Sequence, residues 1–296
     1  MKEKLKTILK IAVSLALVLY LVLTKVDTNE LIRNFKLLDW RFIPLIFLLI
    51  ISHYVVSSFR WKSLLVHEEA KNVSPLYLFY LYFTGAFFNN FMPTSVGGDV
   101  YKMYKLSKKI NNPAIGFSSV FTERFTGIVM LALIALLSLS KNLGFGVLVL
   151  VLWLIMGVYL GLYVLMLLSK TKLKFFKKIY DALLIYKTHP KVLVIAMFSS
   201  IIVQVLSILT QYFTFVAIGV RLPISYAFLA FPVITLAGFF IPSLNGYGVQ
   251  DALYMSMFSL VGVPTETAFS ASIIYHLSRL GVSLIGGVIY ALGKDA

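Results

Sequence analysis

The sequence has no cysteine, and this absence excludes several kinds of chemistry. Without a thiol the chain cannot form disulfides, hold a metal through thiolates or use a cysteine nucleophile. Only four histidines are present and they are scattered, so a histidine-based metal site is not expected. We expect no metal, no other cofactor and no catalytic residue.

Charged residues are also scarce, at 13% of the 296 residues, whereas 59% are hydrophobic and the mean hydropathy is +0.89. A water-soluble globule of this size could not bury that much apolar surface. The longest polar stretches, 25–41 and 170–191, are too short to form a core of their own. The composition therefore predicts an all-α polytopic membrane protein without a soluble domain.

The net charge of +15 does not indicate nucleic-acid binding, because the 27 lysines and arginines lie almost wholly between the apolar runs. Six of these runs are long enough to cross a bilayer core of roughly 30 Å. The first follows a basic start without a small-residue cleavage site, so it is interpreted as a retained helix rather than a signal peptide. The predicted spans are 8–24, 42–59, 118–139, 144–168, 192–218 and 267–292.

Two further apolar regions, 75–99 and 225–263, are broken by motifs rich in proline and glycine. One motif runs from Pro93 to Asp99 and the other from Pro242 to Asp251, so each ends on an acid. Broken backbone and a carboxylate are both costly in hydrocarbon and are tolerated where they line a cavity. Each region could be a full span, a re-entrant hairpin or a discontinuous helix.

The distribution of basic residues helps to choose between these alternatives. If the amino terminus is cytoplasmic and both broken regions are re-entrant, 19 lysines and arginines lie on the cytoplasmic side and six on the other, as the positive-inside rule expects. A single full crossing by 75–99 would move the lysines of 102–109 outside and largely remove this bias. The count favours an even number of passes there, with both termini cytoplasmic, and does not prove the hairpin.

The order of elements in residues 1–140 is repeated in residues 141–296. Each half has a span, an amphipathic segment (28–38 or 173–186) expected at the membrane surface, a second span, a broken region and a third span. Three full spans per half is an odd number, so the second half is predicted to be inverted. Such inverted repeats are typical of transporters whose substrate sites lie where the broken elements meet.

Glu123 and Arg124 lie inside the third predicted span, where ionisable residues are functional candidates. Adjacent helical residues point about 100° apart, so each is expected to have its own partner, and Asp99 is the natural one for Arg124. A structural anchor near the cytoplasmic headgroups would explain these two residues as well.

The last predicted span also carries ionisable groups. His276 and Arg279 are three residues apart and share a helix face. Arg279 follows Asp251 by 28 residues and Arg124 follows Asp99 by 25, which predicts an acid and a cation paired in each half. A structural ion pair and an anion-binding site both fit this pattern.

Arg60, at the end of the second span, is either a binding residue or an anchor at the membrane surface. The glycines of the two motifs would let backbone approach an anion, although the Lys-Ser/Thr ending of a nucleotide-binding loop is missing. The predicted substrate-binding residues are Arg60, Gly97, Gly98, Asp99, Lys102, Glu123, Arg124, Asn245, Gly246, Gly248, Asp251, His276 and Arg279.

Over nearly its whole length the sequence resembles the family of the lysylphosphatidylglycerol synthase transmembrane region, a flippase-like family also called uncharacterised protein family 0104. Two positions depart mildly from the family pattern, since it more often has Glu at Asp251 and Arg at Lys102. The motifs that carry the resemblance are Arg60-Trp61, Pro93 with Gly97-Gly98-Asp99 and Lys102, Glu123-Arg124, and Pro242-Ser243 with Gly246-Tyr247-Gly248-Val249-Gln250-Asp251.

The resemblance implies a transporter. Family members fused to an aminoacyl-transfer domain move an aminoacylated phospholipid between leaflets, and no segment here is long enough for that domain, so translocation rather than synthesis is expected. The predicted function is transport of a phosphate-bearing, aminoacylated or glycosylated lipid headgroup across the plasma membrane of a prokaryote. The alternatives are a membrane enzyme or accessory protein in lipid-linked sugar transfer, and a scaffold without transport. Membrane lipids are the expected partners, and a homo-oligomer or a separate lipid-modifying enzyme stays open.

Overall fold

The computed structural model describes residues 20, 23–24, 26–91, 96–139, 144, 146–171, 174–241, 243 and 245–294. This part of the chain consists of eleven α-helices joined by turns and two short 3₁₀ segments, and it contains no strand. The helices are α1 (Thr28–Lys36), α2 (Phe42–Ser63), α3 (Pro75–Phe91), α4 (Gly97–Ile110), α5 (Pro113–Ser138), α6 (Gly146–Ser169), α7 (Lys174–Leu184), α8 (Pro190–Ala217), α9 (Ile224–Phe240), α10 (Val249–Ser259) and α11 (Thr265–Ala291).

Five of these helices, α2, α5, α6, α8 and α11, are long and apolar enough to cross a membrane. They confirm five of the six predicted spans, with ends that differ by a few residues because capping groups extend the helices beyond the apolar runs. For example, Asn112 caps α5 by accepting hydrogen bonds from the backbone of Ala114 and Ile115, so this helix starts before the predicted span. The remaining predicted span, 8–24, lies almost entirely outside the described residues. The protein is thus a multi-pass α-helical membrane protein.

Both broken regions form two helices separated by a break. The first gives α3 and α4, the second gives α9 and α10, and in each case the two arms pack against each other. The described part of the second break is a turn in which Asn245, Gly246 and Gly248 have positive φ values of 48°, 90° and 80°. Glycine adopts this backbone conformation without steric cost, which explains why the sequence has two glycines here. Return of each hairpin to the face it entered from stays a prediction.

The structure corrects one expectation about the segment that follows the first break. The sequence interpretation assigned the four lysines of 102–109 to a cytoplasmic segment, and all four lie on α4, which continues to Ile110. Only the placement of Lys102 was wrong, and the membrane side of the others stays a prediction. Lys102 is buried because α4 is amphipathic and turns this side chain into the protein, where it pairs with Asp99 of the same helix and with Glu123 of α5. It therefore belongs to the interior of the protein and not to the headgroup layer.

The helices pack in a pattern that is the same for both halves. Helices α2 and α8 form an antiparallel pair, since the backbone N–H of Asp39 bonds the carbonyl of Ala217 at 2.7 Å and Arg60, near the other end of α2, contacts Ser200. Helix α3 packs on α11, and its counterpart α9 packs on α5. Likewise α1 packs on α11 and α7 packs on α5. Each half thus contributes one arm of its broken region to the last helix of the other half.

The close approach of α3 and α4 depends on two glycines. A Cβ atom at Gly98 would overlap the backbone carbonyl of Gly85, and the N–H of Gly98 donates to Asn89 Oδ1 at 2.7 Å. We expect Gly98→Ala to lower the free energy of unfolding by about 1–3 kcal/mol, since backbone must move to admit the methyl group. Thermal unfolding in detergent, followed by tryptophan fluorescence, measures this.

Gly157→Ala is the matched control, because Gly157 lies within the membrane helix α6 with nothing within 4 Å of the added Cβ. Its melting temperature should be unchanged or higher, since alanine favours a helix over glycine. Equal behaviour of the two variants would contradict the packing described for Gly98.

Candidate functional site

Five charged residues from α2, α4 and α5 form one buried network, which we call the charge cluster. Arg60 Nη2 lies 2.7 Å from Glu123 Oε1, and Lys102 Nζ lies 2.9 Å from Asp99 Oδ1 and 3.5 Å from Glu123 Oε2. Arg124 Nε lies 2.5 Å from Asp99 Oδ2. Each carboxylate is therefore shared between two cations, and three cations face two acids.

The local sequence explains why these side chains meet. Asp99 is the third residue of α4, near the positive end of the helix dipole, and Lys102 follows it by one turn on the same face. Glu123 and Arg124 are neighbours on α5 and point to different partners, as predicted, and the predicted Asp99–Arg124 pair is present. The side chain of Arg124 is 41% exposed, whereas those of Asp99 and Glu123 are 2% exposed. Part of its guanidinium is thus available to a ligand.

Aromatic rings close the charge cluster on one side. Lys102 Nζ lies 4.0 Å from the centre of the Tyr82 ring and 5.2 Å from that of Trp61. The Trp61 indole donates to Ser119 Oγ at 3.0 Å, so this residue is an interior contact. Arg60 is buried as well and donates to Ser200 Oγ at 2.9 Å. Of the two alternatives for Arg60, the membrane-surface anchor was wrong, because the end of α2 turns this side chain inward.

The acid of the second half is held differently. Asp251 is the third residue of α10, and its Oδ2 accepts a hydrogen bond from the N–H of Gly248 at 2.7 Å. Its Oδ1 accepts a hydrogen bond from the Ser272 hydroxyl and lies 3.2 Å from His276 Nε2. The predicted pairing of Asp251 with Arg279 was therefore wrong. His276 and Arg279 share a face of α11, and the acid meets the residue nearer the start of that helix.

Arg279 has no carboxylate partner in the described part of the chain. Its Nη2 donates to Asn245 Oδ1 at 3.1 Å, and its guanidinium lies 5.3 Å from the centre of the Tyr275 ring. A guanidinium has five N–H donors in a planar fork that matches phosphate and carboxylate oxygens. Arg279 is thus a partly buried cation with most of its donors left for a ligand.

The two broken regions meet beside Arg279. Asn245, in the second break, donates to Asn90 Oδ1 at 2.6 Å, and Asn90, in the last turn of α3, donates to Ser283 Oγ at 2.6 Å. The hydrogen bonds therefore run from Arg279 through both broken regions and return to α11. This junction is where the prediction from broken helices expected a binding site.

A cavity of about 250 Å³ lies between the two halves, and we call it the central cavity. Its wall contains the whole charge cluster together with Gly98, Asn90, Asn245 and Arg279. Gln204, which donates to the carbonyl of Gly127 at 3.0 Å, lines it from α8. Four cations and two carboxylates face the space, so the wall carries a formal excess of two positive charges.

Five of the thirteen predicted site residues do not line the central cavity. Asp251 and His276 face a second, mostly apolar pocket, which we call the side pocket and which is formed with Leu31, Tyr247, Phe269, Ile273 and Leu277. Gly97, Gly246 and Gly248 are turn or helix-start residues. A Cβ at Gly246 would meet the Gln250 side chain, and one at Gly98 would meet Gly85, so the close contacts of these glycines are made with the protein itself.

Asn90, Ser272 and Tyr275 contribute to these sites and were not predicted. The pair Asn89-Asn90 directly precedes the first break, and two amides at the end of an apolar helix are a signal that sequence reasoning could have used. Ser272 and Tyr275 carry no comparable signal, because serine and tyrosine are common in membrane helices. Only the position of α11 against α10 shows what they contact.

Comparisons with known proteins agree on one family. The family model described as "Lysylphosphatidylglycerol synthase TM region" matches residues 7–287. A relative called "UPF0104 membrane protein", from the archaeon Methanothermobacter thermautotrophicus (strain Delta H), is 23% identical over 98% of this chain and 94% of its own length. No solved structure matches the chain.

Proposed function

The chain belongs to the lysylphosphatidylglycerol synthase TM region family, and on that premise we propose that it moves a lipid with an anionic, phosphate-bearing headgroup across the membrane. The headgroup would enter the central cavity while the acyl or prenyl chains stay in the bilayer. The cavity volume of about 250 Å³ is enough for a headgroup but too small for a whole lipid, since pockets that enclose a whole drug-sized ligand measure roughly 300–1,000 Å³.

The observation that carries the proposal is the excess of cations in the cavity wall. Arg279 lacks a carboxylate partner in the described chain, and Arg124 is partly exposed beside it in the same space. Arginine binds phosphate through two parallel hydrogen bonds, which are strengthened where water is excluded. Arg124 and Arg279 are therefore the proposed phosphate ligands, one from each half.

The pairing of the two acids narrows the choice of headgroup and activity. Both cavity carboxylates are held by cations, so neither is free to receive a cationic aminoacyl group. For the same reason neither is available as the general base that transfer of a lipid-linked sugar would need. This arrangement favours transport over transfer chemistry and an anionic headgroup over an aminoacylated one.

The packing of the helices supports transport by alternating access. Five helices of each half have counterparts in the other: α1 matches α7, α2 matches α8, α3 matches α9, α4 matches α10 and α5 matches α11. When every one of these helices is replaced by its counterpart, the contacts among them stay the same, as two inverted repeats, 1–140 and 141–296, would require. The proposal places the protein in the plasma membrane of a prokaryote with both termini in the cytoplasm, following the distribution of lysines. An oligomer or a separate lipid-modifying enzyme would be compatible with it.

A transport assay in liposomes tests this function. Purified protein is reconstituted with traces of fluorescent phosphatidylglycerol, phosphatidylethanolamine or lysylphosphatidylglycerol, and dithionite then reports how much label reaches the outer leaflet. We expect fastest movement for phosphatidylglycerol and slowest for the cationic lipid, because only the anion gains from the excess positive charge. Protein-free liposomes give the background rate.

Two outcomes would contradict the proposal. If every lipid moves at the protein-free rate, with and without an ion gradient, the protein does not transport these lipids. If lysylphosphatidylglycerol moves fastest, the proposal of an anionic headgroup is wrong. A polyprenyl-phosphate sugar incubated with the same protein gives a third readout, and formation of a transferred product would favour the enzyme.

A further inference from the structure

The two hairpin acids occupy the same position in their respective halves. Asp99 and Asp251 are each the third residue of the second arm, and each faces a residue 25 positions later, Arg124 or His276. Arg124 and His276 are each the twelfth residue of their helix. The acid and its partner thus occupy matching positions in the two halves, which supports the prediction of a repeat.

The two pairs differ in one chemical respect. Around Asp99 the partners are Arg124 and Lys102, and an arginine keeps its charge at every physiological pH. Three residues after Asp251, where the first half has Lys102, the second half has Tyr254. An imidazole can gain or lose a proton near neutral pH, whereas a guanidinium cannot. The first pair is therefore permanently ionised and the second can change its charge.

The side chains described around Asp251 and His276 are neutral, so the net charge at this place is the charge of the pair. Neutral side chains face the pair from α11 (Ser272, Tyr275), α10 (Tyr254), the second break (Tyr247) and α1 (Leu31). The nearest permanent charge on α11 is Arg279, whose hydrogen bond goes to Asn245 and whose guanidinium lies in the central cavity. His276 Nδ1 is buried without a hydrogen-bond partner in the described chain.

One shared proton makes this pair neutral. With the proton on the imidazole, Asp251 and His276 form an ion pair. Loss of the proton leaves one buried negative charge, and gain of a second leaves one buried positive charge. Both are costly in an apolar surrounding. The pair lines the side pocket, which is separate from the central cavity.

We propose that Asp251 and His276 form a proton-binding site whose occupancy is coupled to the ligand in the central cavity. Two elements carry the coupling. The turn 245–248 holds Asn245 against Arg279 and Gly248 against Asp251, and one turn of α11 separates His276 from Arg279. A ligand that draws Arg279 away from Asn245 shifts both elements and with them the Asp251–His276 contact. The coupling rests on the proposed function, whereas the proton site does not.

Nuclear magnetic resonance of protein with isotope-labelled histidine tests the proton site without any ligand. The chain has four histidines, and His276→Gln identifies the signal of interest by its loss. The proton site predicts that this signal changes with pH in the wild type and that the change is altered in Asp251→Asn, which removes the carboxylate 3.2 Å from His276 Nε2. A His276 signal that keeps one charge state from pH 4 to 9 would overturn the site.

Lipid binding tests the coupling. In nanodiscs the affinity for dihexanoyl phosphatidic acid should change with pH, by up to about tenfold per unit if one proton is linked. His276→Arg copies the Asp99–Arg124 pair, so it should bind with the pH dependence removed, apart from ionisation of the lipid phosphate itself. The phosphodiester dihexanoyl phosphatidylglycerol, whose charge is constant in this range, separates the two effects.

Glu266→Gln is the control, because Glu266 lies at the start of the same helix and outside both cavities. It should keep the pH dependence of the wild type. Wild-type affinity for the phosphatidylglycerol that is equal at pH 5.5 and pH 8 would overturn the coupling. Absence of binding at every pH would contradict the proposed function, while the titration of His276 would still decide the proton site.

Discussion

Arg279→Ala is expected to abolish most binding of an anionic lipid while the protein stays as stable as the wild type or becomes more stable. A charge-assisted hydrogen bond contributes about 1.5–3 kcal/mol, so affinity for dihexanoyl phosphatidylglycerol should fall by about 10- to 150-fold. Stability should not fall, because Arg279 has no carboxylate partner in the described chain whose burial it compensates. Isothermal titration in detergent and thermal unfolding of the same sample give both numbers.

Two further variants define what Arg279 contributes. Arg279→Lys keeps the charge but cannot form two parallel hydrogen bonds, so its affinity should lie between those of the wild type and Arg279→Ala. Arg33→Ala is the control, since Arg33 is an exposed residue of α1 whose side chain is 68% accessible. If Arg279→Ala binds lipid as tightly as the wild type, Arg279 does not contact the headgroup. A large drop in its melting temperature would identify a structural role instead.

Arg60→Ala should destabilise the protein more than any other arginine substitution made here. Its loss leaves Glu123 buried, with only Lys102 at 3.5 Å to compensate its charge. Removal of one partner from a buried ion pair costs about 3–5 kcal/mol. We expect the free energy of unfolding to fall by this amount, and a titration with sodium dodecyl sulfate measures it. The double variant Arg60→Met, Glu123→Leu should recover most of that loss, because no carboxylate is then left without its arginine.

Arg41→Ala is the matched comparison at the other end of α2, because Arg41 directly precedes this helix and pairs with Asp39 at the surface with its side chain 90% exposed. A pair of this kind contributes about 0–1 kcal/mol, so the change in stability should be small. Equal effects of the two arginine substitutions would mean that the charge cluster is solvated. A double variant less stable than Arg60→Ala alone would mean that the cluster holds the helices through contacts other than charge.

Much of the helical architecture could be predicted because the bilayer imposes it on the sequence. An apolar run must be long enough to cross, so the spans corresponding to α2, α5, α6, α8 and α11 were found from hydropathy alone. The breaks after α3 and α9 were found because proline and glycine interrupt otherwise apolar segments. These features are local, and local sequence determines them.

The contacts of the site were harder to predict, because they depend on how helices are rotated about their axes. Arg60 ends an apolar run, and hydropathy indicates its depth without indicating whether it faces lipid or protein. Helix rotation also explains why the partner of Asp251 was predicted wrongly. His276 and Arg279 lie on one face of α11, and the sequence does not show which of them meets the acid. Asp99 and Arg124 were paired correctly because Glu123 and its neighbour could not neutralise each other.

The junction of Asn90 and Asn245 also says something about how easily the protein can change shape. The two tips are joined by neutral amides, and each such hydrogen bond contributes only about 0.5–1.5 kcal/mol. In the second hairpin, α8, α9 and α10 are held together by ring contacts among Phe215, Phe231, Tyr254 and Phe258. The contact between the tips is therefore weak compared with the aromatic contacts that hold the second hairpin to α8. The two hairpins can therefore part at their tips without loss of the aromatic packing that holds the second hairpin to α8.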